Sequence, residues 1–509
     1  MIVNQGQETV SMLKYTAFIF VGTYAMGATC DSLKSLSLAH TTITMAQEVP
    51  AGTYPQPAAD PLDAGAPFSF KDLATFCRVA LTLKPSDDSD IKVEVWLPVN
   101  GWNHKFEAVG NGGWAGSITY GAMGRALNLG YASASTDTGH SVRGANFALG
   151  HPEKVVDFGW RAVHEMTVTA KELMKAYYGE APKYSYWNSC SQGGRQGLME
   201  AQRFPTDYDG IIAGAPAINW TGRSTQAVWI AQATHKDEAS ALTPAKLAVI
   251  HEAVIAACDA IDGVKDGVLE DPTKCKFDPK SIQCKDADAA NCLTAAQVET
   301  VRKIYADPTN PRTKKAIFQG HEPGGETGWT TMAGPNPFTI ASDLFKYVVF
   351  EDPNWDYKTL NFDSDIDRAL KANAAVDALN PNLKPFLDRK GKIIQYHGWS
   401  DPQISPRSSV EYYKSVVEVN GGASKVSSDY RLFMVPGMAH CGRGDGTSTF
   451  GMLTALEQWV EQGKAPDRIE ASRVRNGQTD RTRPLCAYPQ VATYKGSGST
   501  DDTANFVCK

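Results

Sequence analysis

The sequence predicts an α/β fold built on a mostly parallel sheet, with a large insertion in the middle of the chain. Three observations lead to this prediction. Strand-like segments alternate with helical ones, and polar or glycine-rich loops follow the strands, as they do at the carboxyl edge of a parallel sheet. Between residues 218 and 379 the strand rhythm is lost, which indicates a lid domain inserted between two parts of one core, 29–217 and 380–509.

Four segments have the alternating or continuous apolar pattern of strands. Lys105–Val109 runs into a glycine-rich loop, and Tyr184–Asn188 runs into a Ser-Cys-Ser-Gln-Gly turn. Lys392–Tyr396 leads into His-Gly-Trp-Ser-Asp, and Tyr430–Val435 leads into Pro-Gly shortly before a histidine. All the candidate chemistry of the chain therefore follows predicted strand ends.

Helical patterns lie between these strands. Glu153–Tyr178 has apolar residues at three- and four-residue spacing, which predicts a helix whose apolar side packs on the core. A second helix is predicted over Gly194–Arg203. The aromatic residues of the lid segment are expected either to line a substrate pocket or simply to pack the lid, and they are Trp329, Phe338, Phe345, Phe350 and Trp355.

Composition narrows the class of protein. The chain has 509 residues, 42% of them apolar, so it can bury a large core, and its length favours two or more domains or one domain with a large insertion. The formal net charge is −6 and no long basic block is present, which argues against nucleic acid as a partner.

Ten cysteines spread along the chain are typical of an exported protein rather than a cytosolic one. The N-terminus agrees, because Lys14 precedes an apolar stretch over 15–28 that ends in small residues. We predict a signal peptide over 1–28, with Met12 as an alternative start. This stretch is too short to cross a bilayer and no other is predicted to do so, so a secreted protein without a membrane partner is expected.

The turn Ser189–Gly193 holds the best candidate nucleophile. In α/β-hydrolases the serine lies on a tight strand-to-helix turn, usually Gly-x-Ser-x-Gly, because large flanking side chains would clash. Ser191 has the central position, with a predicted strand before it and a predicted helix after it, but Ser189 replaces the first glycine. Ser189 is also a rival nucleophile, placed on the strand side of the turn.

The acid and the base follow in the order that an α/β-hydrolase requires, Ser, then Asp or Glu, then His. Asp401 and His440 each come after a predicted strand, and His440 would take the serine proton while Asp401 orients and stabilises it. His397 is the main rival base, but it precedes Asp401 and so breaks the order, which favours a structural or supporting role. The core is therefore predicted to be an α/β-hydrolase core.

A cysteine adjoins each of the two reacting residues. Cys190 directly precedes Ser191, and Cys441 directly follows His440. A disulfide between these cysteines would hold the nucleophile and the base within reach of each other, although the two are far apart in sequence. This arrangement favours an exported serine hydrolase.

The oxyanion hole of such an enzyme needs two fixed N–H donors. One is expected from Gln192, the residue after the nucleophile. The other is expected from the glycine-rich loop after the Lys105–Val109 strand, and we favour Gly113 within that loop. An ordinary glycine turn is the alternative interpretation of this loop.

The segment Cys258–Asp271 is dense in short carboxylates and glycines, which suits calcium, an ion that prefers several oxygen ligands in a flexible loop. Its spacing differs from the EF-hand pattern, and a solvated acidic loop is the alternative. If the loop binds Ca²⁺, the role of the ion is expected to be structural, because nothing in the sequence links this loop to Ser191. The candidate ligands are the side chains of Asp259, Asp262 and Asp266 and the carbonyls of Val264 and Val268.

These residues resemble the tannase and fungal-type feruloyl esterase family, which includes mono(2-hydroxyethyl) terephthalate hydrolase. The resemblance extends from Cys30 to Cys508 and is most specific at the Cys-Ser, Asp and His-Cys signature; Gly193–Ile211 and the acidic loop also match. It implies an α/β-hydrolase core, a calcium site in the lid and hydrolysis of aromatic-acid esters. It also implies five disulfides, Cys30–Cys77, Cys190–Cys441, Cys258–Cys275, Cys284–Cys292 and Cys486–Cys508.

The resemblance implies a secreted esterase that cleaves hydroxycinnamate-type esters through an acyl-enzyme. Gln192 and Ile404 are expected near the acyl pocket, and the family usually has glycine where this chain has Ser189. A tannin acyl hydrolase and a terephthalate-monoester hydrolase are the nearest alternatives. A non-catalytic calcium-dependent binding protein on the same scaffold is the alternative from another class, and an exported peptidase is disfavoured. The protein is expected to be a monomer or a homodimer.

Overall fold

A computed structural model describes residue 1 and residues 28–57, 68–114 and 116–509. Nearly all of the predicted signal peptide, 1–28, lies outside the described residues. Over the described ranges the strands are β1 (Thr41–Val49), β2 (Phe76–Leu83), β3 (Ile91–Pro98), β4 (Lys105–Ala108), β5 (Ala132–Thr136), β6 (Tyr184–Cys190), β7 (Gly210–Gly214), β8 (Lys392–Gly398), β9 (Tyr430–Val435), β10 (Thr449–Phe450), β11 (Arg468–Arg475), β12 (Gln478–Cys486), β13 (Ala492–Tyr494) and β14 (Phe506–Cys508).

The α-helices of the same ranges lie mostly between strands of the sheet or in the lid segment. They are α1 (Tyr120–Asn128), α2 (Pro152–Val156), α3 (Ala162–Tyr178), α4 (Gln192–Arg203), α5 (Trp220–Thr234), α6 (Pro244–Cys258), α7 (Ala295–Tyr305), α8 (Thr330–Ala333), α9 (Thr339–Asp343), α10 (Ser364–Ala372), α11 (Lys384–Asp388), α12 (Arg407–Val419), α13 (Ala423–Val426) and α14 (Met452–Gln462).

The main sheet of the described residues has nine strands in the order β1-β2-β3-β5-β4-β6-β7-β8-β9. The strands from β5 to β9 in this order run parallel, whereas β1, β2 and β3 add an antiparallel edge. All four predicted strands belong to the parallel part. The carboxyl ends of β4, β6, β8 and β9 therefore meet at one edge of the sheet, where ligands bind in folds of this class.

The central strands of the sheet are stabilised by burial of their side chains on both faces. Every residue of β7, Gly210–Gly214, is buried, which is the pattern of a strand covered on both faces. The core on one face includes Val163, Met166 and Leu173 of α3 together with Trp187 and Ile211 of the sheet. The apolar stripe of the predicted helix is thus the side that packs on the sheet.

The predicted helix Glu153–Tyr178 is not one regular helix. A π-helical turn over Asp157–Arg161 separates α2 from α3. Within this turn Gly159 lies against the lid, because a Cβ atom there would come within 2.3 Å of the Ala375 carbonyl oxygen. The turn shifts the helix register and leaves the Phe158 and Gly159 carbonyls free to accept hydrogen bonds from Arg195.

The segment between β7 and β8 is mainly helical, and none of the named strands lies in it. Its own core joins α6, α7 and Trp329. Phe345, Phe350 and Trp355 stack on one another at ring distances of 5.2–6.4 Å, so these three pack the lid. The domain boundaries at 217 and 379 stay predictions.

One helical stretch of the described ranges, Glu238–Asp262, is long and apolar enough to cross a membrane by length and composition. This differs from the expectation that no stretch after the signal peptide qualifies. Core helices of soluble proteins meet the same measure, and Leu247, Ile250 and Val254 of this stretch pack in the lid core.

A buried carboxyl group on β4 makes the stability of the sheet depend on pH. Burial raises the pKa of Glu107 from 4.5 to about 7. Asn188 donates a hydrogen bond to Glu107 Oε1 over 2.9 Å, which lowers the pKa but by less than burial raises it. Because the pKa of Glu107 is higher in the folded protein, the folded state loses stability as pH rises from about 5 to 8, by at most about 3 kcal/mol.

We expect Glu107→Gln to remove most of this pH dependence, because an amide keeps the Asn188 contact and carries no charge. Thermal unfolding at pH 5 and pH 8 measures the effect, and the variant should gain on the wild type at pH 8. Asp286→Asn, at an exposed lid position, is the control. An equal change in Tm with pH for wild type and Glu107→Gln would contradict the prediction.

Candidate active site

The turn between β6 and α4 presents Ser191. β6 ends at Cys190 and α4 begins at Gln192, so Ser191 alone makes the turn, with a φ of 64° that lies in the left-handed region. Its N–H donates to the Gly214 carbonyl over 2.8 Å, and its carbonyl accepts from the Ala217 N–H over 3.2 Å. The turn thereby has the strand-to-helix geometry expected of a nucleophile elbow.

Ser189 fits this turn because of Gly193. A Cβ atom on Gly193 would lie 1.9 Å from Ser189 Oγ and 3.2 Å from the Asn111 carbonyl oxygen. The absent side chain at Gly193 therefore makes room for the serine that replaces the usual first glycine. Ser189 lies on the strand, and no hydrogen bond links it to His440 among the described residues.

His440 joins the serine to the aspartate. His440 Nε2 lies 2.8 Å from Ser191 Oγ, and His440 Nδ1 lies 2.6 Å from Asp401 Oδ2. An ionised carboxylate only accepts hydrogen bonds, so Nδ1 carries the proton, and neutral Nε2 accepts from the serine hydroxyl. The structure thus brings the three predicted residues into one hydrogen-bonded chain.

The carboxylate of Asp401 is buried and held in place from several sides. Its Oδ1 accepts from the Gln403 and Ile404 N–H groups over 2.8 and 3.1 Å. Burial opposes ionisation, but the two neighbouring histidines, His440 and His397, outweigh it and hold the pKa of Asp401 well below its usual range. Asp401 therefore stays charged at neutral pH.

His397 contacts the aspartate rather than the serine. Its Nε2 lies 3.0 Å from Asp401 Oδ2, the same oxygen that His440 approaches, and its Nδ1 lies 2.7 Å from Ser409 Oγ. The side chain is fully buried. Its position agrees with a supporting role, because it helps to orient Asp401 and makes no described contact with Ser191.

The predicted disulfides are present with the predicted pairing: Cys30–Cys77, Cys190–Cys441, Cys258–Cys275, Cys284–Cys292 and Cys486–Cys508. Cys190 and Cys441 are 251 positions apart in sequence, with a Cα–Cα distance of 6.0 Å. The bridge therefore connects the residue before Ser191 to the residue after His440.

The glycine-rich loop after β4 is attached to the first turns of α4. The Gly193 N–H donates to the Asn111 carbonyl over 2.8 Å. The Gln196 amide donates to Asn111 Oδ1 over 3.0 Å and accepts from the Asn111 N–H over 3.2 Å. Gly113 in this loop has a φ of 53°, a conformation that favours glycine. The assignment of Gly113 and Gln192 to the oxyanion hole stays a prediction.

Sequence reasoning did not single out Arg195, which is fully buried behind Gln192. Its guanidinium donates to Gln192 Oε1 over 2.7 Å, to the Gly159 and Phe158 carbonyls, and to the Val376 carbonyl of the lid. Arg195 thereby connects the start of α4 to the π-helical turn and the lid. The Gly-Gly-Arg-Gln-Gly sequence is the only signal that points to it.

A family model described as tannase and feruloyl esterase matches residues 77–509. The chain belongs to this family. The esterase is 40% identical to an uncharacterized esterase of Xanthomonas campestris pv. campestris, over 96% of this chain and 92% of that protein. It is 34% identical to a probable feruloyl esterase B-1 of Aspergillus oryzae, over 94% of this chain and 93% of that protein.

Solved structures agree with this assignment. Feruloyl esterase B from Aspergillus oryzae superposes on the esterase with a TM-score of 0.87 at 32% identity, covering 94% of this chain and 99% of that one. The prediction of an α/β-hydrolase fold is thereby confirmed, and the protein is a carboxylic ester hydrolase.

The acidic loop of the esterase has the oxygen donors that calcium requires. A cavity of about 20 Å³, with room for one ion or water-sized particle, is lined on the loop side by Asp262, Val264, Asp266, Val268 and Glu270 and on the β12 side by Arg481 and Arg483. Asp262 and Asp266 turn back on their own loop, accepting from the Val264 and Val268 N–H groups. The carboxylate oxygens are ligands of the kind that calcium prefers, while Arg481 and Arg483 supply positive charge at the same cavity.

The same loop ties the lid to the C-terminal strands. Asp266 pairs with Arg483 and, over 3.3 Å, with Arg481, both on β12. Glu270 Oε1 accepts from the Ala492 N–H over 2.8 Å. Disulfide Cys258–Cys275 closes the loop. A substitution in this loop would therefore also weaken the contacts between the lid and the C-terminal strands.

Proposed function

We propose that this esterase cleaves esters of aromatic acids, of the hydroxycinnamate type, through an acyl-enzyme on Ser191. The observation that carries the proposal is the hydrogen-bonded chain Ser191–His440–Asp401 at the carboxyl edge of the sheet. Relatives named as feruloyl esterases over almost the whole chain support the substrate class.

The reaction follows from these positions. Ser191 Oγ attacks the ester carbonyl while His440 Nε2 takes its proton, and the alcohol leaves with that proton to give the acyl-enzyme. Water, deprotonated by His440, then attacks the acyl carbonyl, and as the bond to Ser191 Oγ breaks His440 returns the proton to that oxygen and the aromatic acid is released. The negative oxygen of both tetrahedral intermediates would be held by the N–H groups of Gln192 and Gly113.

A panel of four esters tests the substrate class. Methyl ferulate, methyl caffeate, methyl gallate and a terephthalate monoester are compared by kcat/KM. Preference for ferulate or caffeate supports the proposal, whereas preference for gallate would identify a tannin acyl hydrolase. Absence of any hydrolysis, with no labelling of Ser191 by a fluorophosphonate, would favour the non-catalytic binding protein instead.

We also propose that the lid loop binds a structural Ca²⁺ through Asp259, Asp262, Asp266 and the carbonyls of Val264 and Val268. Asp266 is already paired with Arg481 and Arg483, so the ion would chiefly neutralise Asp259 and Asp262 and hold the loop against β12. Export is part of the proposal as well, because five disulfides require an oxidising compartment to form and persist.

Removal of calcium is expected to lower Tm. It should leave the three reacting residues in place, because none of them is a proposed calcium ligand. A ligand present at a thousand times its dissociation constant stabilises the folded state by about 4 kcal/mol. Thermal unfolding with EGTA, and again with excess Ca²⁺, measures this. Asp262→Ala should have the low Tm in both solutions, and Asp286→Asn should behave as the wild type. An EGTA-insensitive Tm would contradict the calcium assignment.

A further inference from the structure

A cluster of ionisable side chains lies between α3 and the end of α4. His164 is on α3, Glu200 is in the last turn of α4, and Asp207 is in the connection from α4 to β7. One ligand atom from each of the three lies within 4.8 Å of those from the other two. One imidazole and two carboxylates at this spacing are ligands of the kind that bind a divalent metal ion.

This cluster is at the edge of the sheet opposite the reacting residues. α4 begins at Gln192, next to Ser191, and at 1.5 Å per residue Glu200 lies about 12 Å further along the helix. Asp207 comes three residues before β7, at the edge where that strand begins. The acidic loop 258–271 contributes no residue to it. The cluster is therefore separate from both the catalytic residues and the proposed calcium site.

Glu200 is the residue of the cluster that points to a ligand. It is 1% exposed, and among the described residues neither of its carboxylate oxygens has a hydrogen-bond donor. Burial, together with the neighbouring Asp207 carboxylate, raises the pKa of Glu200 well above its usual value. Two buried carboxylates this close are not both ionised unless a cation lies between them. The pair therefore needs either a shared proton or a metal ion.

His164 and Lys171 decide between these two possibilities in favour of a metal ion. The His164 ring is held in place by stacking on Phe204 at a centre distance of 3.6 Å, and its Nδ1 lies 2.7 Å from Asp207 Oδ2. Its side chain is 26% exposed, which gives an ion a path from solvent to the buried carboxylates. The Lys171 ammonium is bound by the Asp207 backbone carbonyl, so its single charge leaves one of the two carboxylate charges uncompensated.

We propose that His164, Glu200 and Asp207 bind a divalent cation of the zinc type, which takes imidazole nitrogen and carboxylate oxygen as ligands and completes its shell with water. The ion would connect α3 to the segment between α4 and β7, so its role would be structural. Both carboxylates would then stay ionised without a shared proton. This site is independent of the proposed ester hydrolysis and of the lid calcium.

Titration of the chelator-stripped full chain with Zn²⁺, in excess Ca²⁺ so that the lid loop does not compete, tests the proposal. We expect the wild type to bind one Zn²⁺ per chain by isothermal titration calorimetry, and its Tm to rise by about 2 °C or more at saturating Zn²⁺. Glu200→Gln should lose both effects, because an amide keeps the shape and can still donate to Asp207 but is a poor metal ligand. His164→Asn should lose them as well.

His104→Asn is the matched control. His104 Nδ1 also lies near a carboxylate, 2.9 Å from Glu180 Oε1, but both of these side chains are exposed. This variant should bind Zn²⁺ and gain Tm as the wild type does. Circular dichroism checks that each variant is folded, and His164→Asn, at a partly exposed position, preserves the test if Glu200→Gln does not fold.

Two outcomes would overturn the proposal. An equal response of Tm to Zn²⁺ in the wild type, Glu200→Gln and His164→Asn would show an adventitious ion only. Absence of Zn²⁺ binding by the wild type would reject the metal site, and an unchanged Tm of Glu200→Gln would then identify Glu200 as a protonated acid that donates to Asp207.

Discussion

Ser191→Ala should lower kcat for ester hydrolysis by about 10⁴- to 10⁶-fold, because serine hydrolases that lose the nucleophile retain only the rate from substrate binding and the oxyanion hole. Ser191 Oγ lies 2.8 Å from His440 Nε2, and among the described residues no other hydroxyl is hydrogen-bonded to this base, so no other serine can replace it. Hydrolysis of methyl ferulate and p-nitrophenyl esters measures the loss.

Ser189→Ala is the matched control, since it removes a hydroxyl two residues away on the same turn. It should keep activity within a few-fold and should still be labelled at position 191 by a fluorophosphonate. If Ser189→Ala lost activity as fully as Ser191→Ala, while both remained folded by circular dichroism, the assignment of the nucleophile would be wrong.

The double variant Cys190→Ala, Cys441→Ala should lose about 100-fold in kcat/KM at a temperature where it is still folded. Displacement of reacting groups by about 1 Å costs a factor of this size. The bridge connects the residues adjoining Ser191 and His440. Without it, the 2.8 Å distance between Ser191 Oγ and His440 Nε2 is no longer fixed by a covalent link. Assays well below Tm separate this effect from unfolding.

The matched pair is Cys284→Ala, Cys292→Ala, which removes a short lid bridge of sequence separation 8. In the chain-entropy model this bridge contributes about 2.5 kcal/mol and Cys190–Cys441 about 5.5 kcal/mol, so both variants are compared at equal folded fraction. The lid variant should keep nearly full kcat/KM. Equal losses in the two variants would show that the catalytic bridge only stabilises the fold.

Much of the site was predictable because its residues lie at strand ends. Ser191, Asp401 and His440 each follow a segment of strong strand pattern, and their order along the chain distinguishes His440 from His397. The pairing of the cysteines was not predictable from spacing and came from the family resemblance. The register of the sheet then brought the three loops to one edge.

Other features needed coordinates, because they depend on contacts between distant segments. The π-helical turn at Asp157–Arg161 lies within an apolar pattern that is continuous in the sequence, so the pattern predicts one helix. The fit of Ser189 depends on the space left at Gly193.

The insertion between β7 and β8 has a consequence for how the enzyme is made. Ser191 is synthesised before the lid, and Asp401 and His440 come after it, so a growing chain holds the serine without the base until residue 440 has been added. Cys190 likewise cannot form its disulfide until Cys441 has been synthesised. Chains that end before residue 440 therefore lack the proposed base, and the bridge that adjoins it cannot yet form.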